Sequence, residues 1–112
     1  MPCDRQTSLE RFRRYAIASS DMERLKREFP PGRSPLADRL MRGCEELLDG
    51  AFDDIGEVAE NVSDVAALML SMHYMDGLTW EDVGEMFGIT GNAAKQRCHR
   101  ALRRLDSRRD GK

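Results

Sequence analysis

The sequence predicts an all-α protein, a helical hairpin followed by a helix-turn-helix bundle, and three observations carry that expectation. Apolar residues recur at helical spacing along most of the chain. Serine or threonine precedes three of those stretches, at Ser34, Thr79 and Thr90, where a side-chain oxygen satisfies the free N–H groups of a helix start. The breaks between stretches are built from proline or glycine, as in Pro30-Pro31-Gly32-Arg33-Ser34-Pro35 and at Gly88. The chain has 112 residues, 40% of them apolar, which suffices for one small domain or two subdomains sharing a core. We divide it into a helical leader, residues 1–62, and a helix-turn-helix unit, residues 63–112.

In the leader, Tyr15, Ala18, Met22, Leu25 and Phe29 follow a 3-4-3-4 spacing, which predicts one helix over residues 9–29. Ser20 ahead of Asp21-Met22-Glu23 offers an alternative start. Ser34 caps a second helix with Pro35 at its first position. Its stripe is Ala37, Met41, Cys44, Leu48, Ala51, Ile55, Val58 and Val62. Unbroken, this helix is about 40 Å long, so it either bends or stops at Gly50 or Gly56, or it projects. A straight stripe needs a cover, which is either the first helix folded back or a second copy of the chain. The intramolecular bundle is the simpler solution. Residues 65–75 are apolar apart from Ser71 and His73, and a helix apolar all round belongs in the centre. Met69, Leu70, Met72 and Met75 serve there as core filler or as a surface that re-packs around a partner. His73 reads as a satisfied boundary histidine.

In the second unit, Thr79 caps a helix starting at Trp80 that turns Val83, Met86 and Phe87 inward, while Gly84 lets another helix approach closely. Gly88 ends it in the left-handed conformation, Ile89 folds back to the core, and Thr90 caps a last helix over residues 91–106. There Ala94, Cys98, Ala101, Leu102 and Leu105 form one side, and Asn92, Lys95, Gln96, His99 and Arg103 the other. Two capped helices joined by a tight turn set a crossing angle that lets the second enter a DNA major groove. The candidate contacts are Gly91, Asn92, Lys95 and Gln96 at the opening turns, His99 beside them, and Arg100, Arg103 and Arg104 for phosphates.

The charge supports this division. Residues 1–44 carry 10 Lys/Arg against 6 Asp/Glu, residues 45–90 none against 12, and residues 91–112 carry 8 against 2. A duplex attracts the last segment and repels the middle one, so the acidic block is expected to face away from DNA.

Residues 65–105 resemble region 4 of bacterial sigma factors, the module that binds the promoter's upstream element, and above all its extracytoplasmic-function branch. The likeness is carried by Gly77-Leu78-Thr79, by Asp82-Val83-Gly84 where that branch has a Glu-Ile-Ala-like step, and by Lys95-Gln96-Arg97-Cys98-His99-Arg100-Ala101. Response-regulator effector domains share the first half of the pattern. Primary sigma factors commonly show Arg-Glu-Arg after the second cap, where this chain has Gly91-Asn92-Ala93. Residues 1–64 contain no aromatic-rich basic helix like that of sigma region 2, so a complete sigma factor is not expected. The resemblance implies a stand-alone transcription regulator of phage or prophage type that binds double-stranded DNA. It also implies RNA polymerase, through the flap of its β subunit, as a protein partner.

Three readings stay open: a sequence-preferring regulator, acting as a homodimer or tethered to polymerase; a polymerase- or sigma-binding protein that uses the fold as scaffold; and a small subunit of phage DNA packaging. No nucleophile stands beside a base in a motif and no phosphate loop is present, so an enzyme is not expected. Cys3, Cys44 and Cys98 are widely spaced and, with His73 and His99, make no metal motif. Cys44 and Cys98 read as core thiols, and neither metal nor cofactor is expected. No signal peptide or membrane-length apolar run is present, which points to the cytoplasm without membrane partners.

Overall fold

The computed structural model describes residues 7–30 and 32–111, with side chains through Arg109, and leaves Cys3 and Pro31 outside the described residues. Among the described residues five α-helices follow one another: α1 Ser8–Glu28, α2 Pro35–Asn61, α3 Asp64–Leu70, α4 Trp80–Phe87 and α5 Gly91–Gly111. A π-helical turn, Ser71–Met75, extends α3.

Each start has a local cause. Thr7 and Glu10 form a reciprocal cap on α1, the Thr7 N–H donating to Glu10 Oε1 at 2.8 Å and the Glu10 N–H to Thr7 Oγ1 at 3.2 Å. Ser34, Ser63, Thr79 and Thr90 accept from the N–H three residues on, at 3.0–3.2 Å. The helix runs unbroken through Ser19 and Ser20, so Ser20 starts nothing. Tyr15, Ala18, Met22 and Leu25 are buried as expected, joined by Phe12 and Ser8. Phe29 is not: it caps the end of α1 in extended backbone and stays 39% exposed.

α2 continues through Gly43, Gly50 and Gly56 as one 27-residue helix. Its stripe is covered from within the chain, because α1 folds back along it. A Cβ on Gly50 would lie 3.6 Å from the Tyr15 hydroxyl. Ala51 and Val58 are buried there, while Leu36 and Leu40 near the hairpin end remain exposed.

Residues 65–75 depart from the expectation of a helix covered all round. Ala66, Ala67, Met69 and Leu70 are buried, but Val65 and Leu68 face solvent. After Leu70 the backbone widens, the Asp76 N–H donating to the Ser71 carbonyl five residues back at 3.1 Å. Tyr74 enters the core from this turn, and Met72 and Met75 are half-buried.

One apolar core runs through leader and helix-turn-helix alike, from Phe12 and Tyr15 through Val58, Met69 and Leu70 to Leu102 and Leu105. Burying a side chain of that size fully contributes roughly 1.5–3 kcal/mol. Set within this core is Asp54, 2% exposed. The Tyr15 hydroxyl donates to it at 2.6 Å, Arg11 pairs with it at 2.9 Å and Arg109 at 3.0 Å, so one α2 carboxylate joins α1, α2 and α5. Arg109 also pairs with Glu57. Burial, then the bond to Asp54, raises the Tyr15 phenol above its ordinary pKa.

Replacing Asp54 with Ala leaves two guanidinium groups and a hydroxyl without their shared acceptor. Chemical denaturation is expected to show a loss of about 2–3 kcal/mol, between the values of exposed and fully buried pairs. At Gly84 a Cβ would sit 2.6 Å from the Ile89 carbonyl oxygen and 2.8 Å from Thr90 backbone atoms. Gly84→Ala is therefore expected to cost at least about 1–3 kcal/mol in the same measurement.

Candidate nucleic-acid interface

The turn between α4 and α5 is set by backbone contacts. Gly88 adopts φ 72° and the Ile89 N–H donates back to the Gly84 carbonyl at 2.9 Å, which closes α4 with a left-handed residue. Gly84 takes the turn against its bare Cα, and a Cβ on Gly91 would meet the Glu81 nitrogen at 2.9 Å. Two glycines thus bring the two helices into backbone contact at both ends of the turn. Val83 is buried between them, Phe87 and Ile89 are half-buried, and Met86, expected inward, is 63% exposed.

α5 is buttressed from behind by Ala94, Cys98, Ala101, Leu102 and Leu105, all buried as expected. Burial pushes the Cys98 thiol up to about 12, which keeps it a neutral packing group. Cys44 is half-buried. The helix is longer than expected because Arg109, one turn past Asp106, folds inward to Asp54 and Glu57.

On the other side, Asn92, Lys95, Gln96, Arg100, Arg103 and Arg104 are exposed. Asn92, Gln96 and Arg103 share the outermost ridge by their spacing, with Arg100 beside them. Gly91 differs from the others, since it is half-buried and its contribution is the close approach to α4. Among the described residues nothing walls off the opening turns. Two cations absent from the sequence-derived set join the surface. Arg108 lines an open depression with Arg100, Arg103, Arg104 and Ser107, and Arg97 lines another with Arg100, Arg104 and the α2–α3 corner at Val62 and Ser63. Arg97 lies within the Lys95–Ala101 motif, and the basic excess of residues 91–112 was the signal that included Arg108.

The acidic residues are disposed unevenly. Asp54 and Glu57 are taken by arginines. Asp106, on α5 itself, is engaged by Ser8, whose N–H and hydroxyl donate to Oδ1 at 3.0 and 2.6 Å. The acidic block is not wholly remote, however, because Glu81 begins α4 beside the first turn of α5. Packing dictates this position, since the close approach at Gly91 puts the α4 start there.

His99 is half-buried. Its ring meets the edge of Trp80 at 6.3 Å, and Trp80 stacks on His73 at 3.8 Å. His73 Nδ1 donates to the Leu78 carbonyl at 2.7 Å, satisfying this boundary histidine. Burial lowers the pKa of His99, and Lys95, Arg13, Arg103 and His73 lower it further.

Residues 63–106 match the family model of Sigma-70, region 4. This segment is a sigma region 4-like helix-turn-helix. Its α4, turn and α5 form the helix-turn-helix, and the match begins at the Ser63 cap, where α2 has ended. The leader helices α1 and α2 lie before it, although they share its core. No curated protein and no solved structure matches the chain. Among the described residues no group of three His, Cys, Asp or Glu side chains could hold a metal ion, and no helix is long and apolar enough to cross a membrane.

Because the folded state holds His99 below its unfolded pKa, the unfolded chain binds the proton first as pH falls. Stability contributed by neutral His99 is present above about 6.5, the ordinary histidine value, and declines below it. Unfolding free energy of His99→Gln measured between pH 7.5 and 5 is expected to fall less steeply than that of the wild type.

Proposed function

We propose that this chain is a sequence-preferring, non-catalytic regulator of transcription that inserts α5 into the major groove of a DNA duplex. The observation that carries the reading is the exposure of Asn92, Lys95 and Gln96 at the opening turns of a helix whose opposite side is fully packed. Asn92 and Gln96 are the base readers, since a carboxamide presents a donor and an acceptor together and pairs with the matching edge of adenine. Lys95, Arg100, Arg103 and Arg104 contact phosphates, which position the helix without selecting sequence. Gly91-Asn92-Ala93 gives an opening turn without the charged side chains of primary sigma factors, so the preferred element differs from theirs. A cytoplasmic site of action and a phage or prophage setting go with this reading.

One helix-turn-helix binds non-specific DNA at only about 10⁻⁴–10⁻⁶ M, so selecting a site needs a second anchor. Val65 and Leu68 on α3 stay exposed within the sigma-like segment, which favours tethering to RNA polymerase at an asymmetric site. The other anchor is a second copy of the chain, which gives a two-fold site with half-sites about 34 Å apart.

Selection from a random duplex pool is expected to return a defined motif. Lys95→Ala then weakens binding to every duplex and lowers the salt slope by about 1, whereas Gln96→Ala costs about 1–3 kcal/mol on the selected site and relaxes preference there. Equal loss on selected and random DNA for Gln96→Ala removes the base-reading role, and no affinity for any duplex at low salt removes the whole reading.

A further inference from the structure

We propose that the leader takes part in the same interface: Arg13 on α1 makes a phosphate contact beside those of α5, so one DNA backbone is held by two helices. The inference rests on the DNA-binding reading of α5 and places a residue outside the matched segment in the site.

The placement of Arg13 follows from what fixes α1. Ser8 is 1% exposed and bonded to Asp106, Phe12 is fully buried with its ring 5.6 Å from Tyr74, and Ser19 Oγ donates to the Met75 carbonyl at 3.0 Å. These contacts set both the rotation of α1 and its direction, from the C-terminal half of α5 toward the π-helical turn. Arg13 stands about 7.5 Å along α1 from Ser8, and His99 stands about 10.5 Å before Asp106 on α5, so similar rises separate both from the Ser8–Asp106 contact. The Arg13 charge acts on both His99 and Tyr74.

Arg13 is also available. Arg11 is committed to Asp54 and Arg24 to Asp21, whereas Arg13 is exposed and has no ion pair among the described residues. Around His99 it joins Lys95 and Arg103, whose charges act on the same ring. Cations gathered together repel one another, and a polyanion that binds them relieves that repulsion and releases its own condensed counterions to solution.

The test is binding of the full chain to a labelled random-sequence duplex, followed by anisotropy across a salt series, for the wild type, Arg13→Ala, Lys95→Ala and Arg39→Ala. Arg39 is exposed on the first turns of α2. Arg13→Ala is expected to lower the salt slope by about 1 and the affinity roughly 3- to 10-fold near 0.1 M salt. Arg13→Lys restores the slope and Arg39→Ala leaves it unchanged, with thermal unfolding of each variant at the wild-type temperature. A wild-type slope for Arg13→Ala alongside a reduced one for Lys95→Ala overturns this inference and leaves the DNA-binding reading standing. An equal reduction for Arg39→Ala also overturns it, by assigning the effect to net charge. A wild type that binds no duplex overturns both.

Discussion

A single buried carboxylate ties α1, α2 and α5 together. Asp54 sits on α2, yet its partners Tyr15, Arg11 and Arg109 come from α1 and α5. A charge removed from water is tolerable only where hydrogen bonds and counter-charges replace the lost solvation. The three helices must therefore keep one relative position, and that position turns Arg109 inward while the preceding arginines of α5 face outward. The hub gives α5 a fixed base at its C-terminal end.

The N-terminal end of α5 is held by different physics. Gly84 and Gly91 bring the backbones of α4 and α5 within contact, and any side chain there would collide with main-chain atoms that cannot move aside. Between the two anchors an aromatic run links the leader to the helix-turn-helix: Phe12 meets Tyr74, Tyr74 meets Trp80, and Trp80 meets both His73 and His99. The edge-to-face pairs among these, Phe12–Tyr74 and Tyr74–Trp80, each add about 0.5–1.5 kcal/mol beyond burial. The leader thereby packs against the helix-turn-helix, and among the described residues Asn92, Lys95 and Gln96 at the opening turns of α5 stay exposed.

Much of this was legible in the residues. The caps at Ser34, Thr79 and Thr90, the stop at Gly88 and the packed side of α5 are local features, governed by backbone hydrogen bonding and helical periodicity within a few positions. The misplaced residues were those whose fate depends on distant segments. Met86 fits the inward spacing of α4 but is left largely uncovered by the described residues, and Val65 and Leu68 likewise lie on a side of α3 that the described residues leave exposed. Asp54 read as one more charge in an acidic run, because its partners lie 39 to 55 positions away. His99 shared a helical side with Gln96, and it took the ring of Trp80 to draw it half inside.

From composition and spacing alone, this polypeptide determined that it is helical, where most of its helices begin and end, and which edge of α5 is cationic. Those outcomes rest on interactions within one or two turns, which the order of residues specifies directly. Tertiary structure alone decided that α2 runs unbroken under α1, that Asp54 joins three helices, and that Ser8 of α1 docks on Asp106 of α5. Each of these depends on which surfaces meet once the core closes, and water exclusion, close backbone approach and charge pairing act there between residues far apart in the chain.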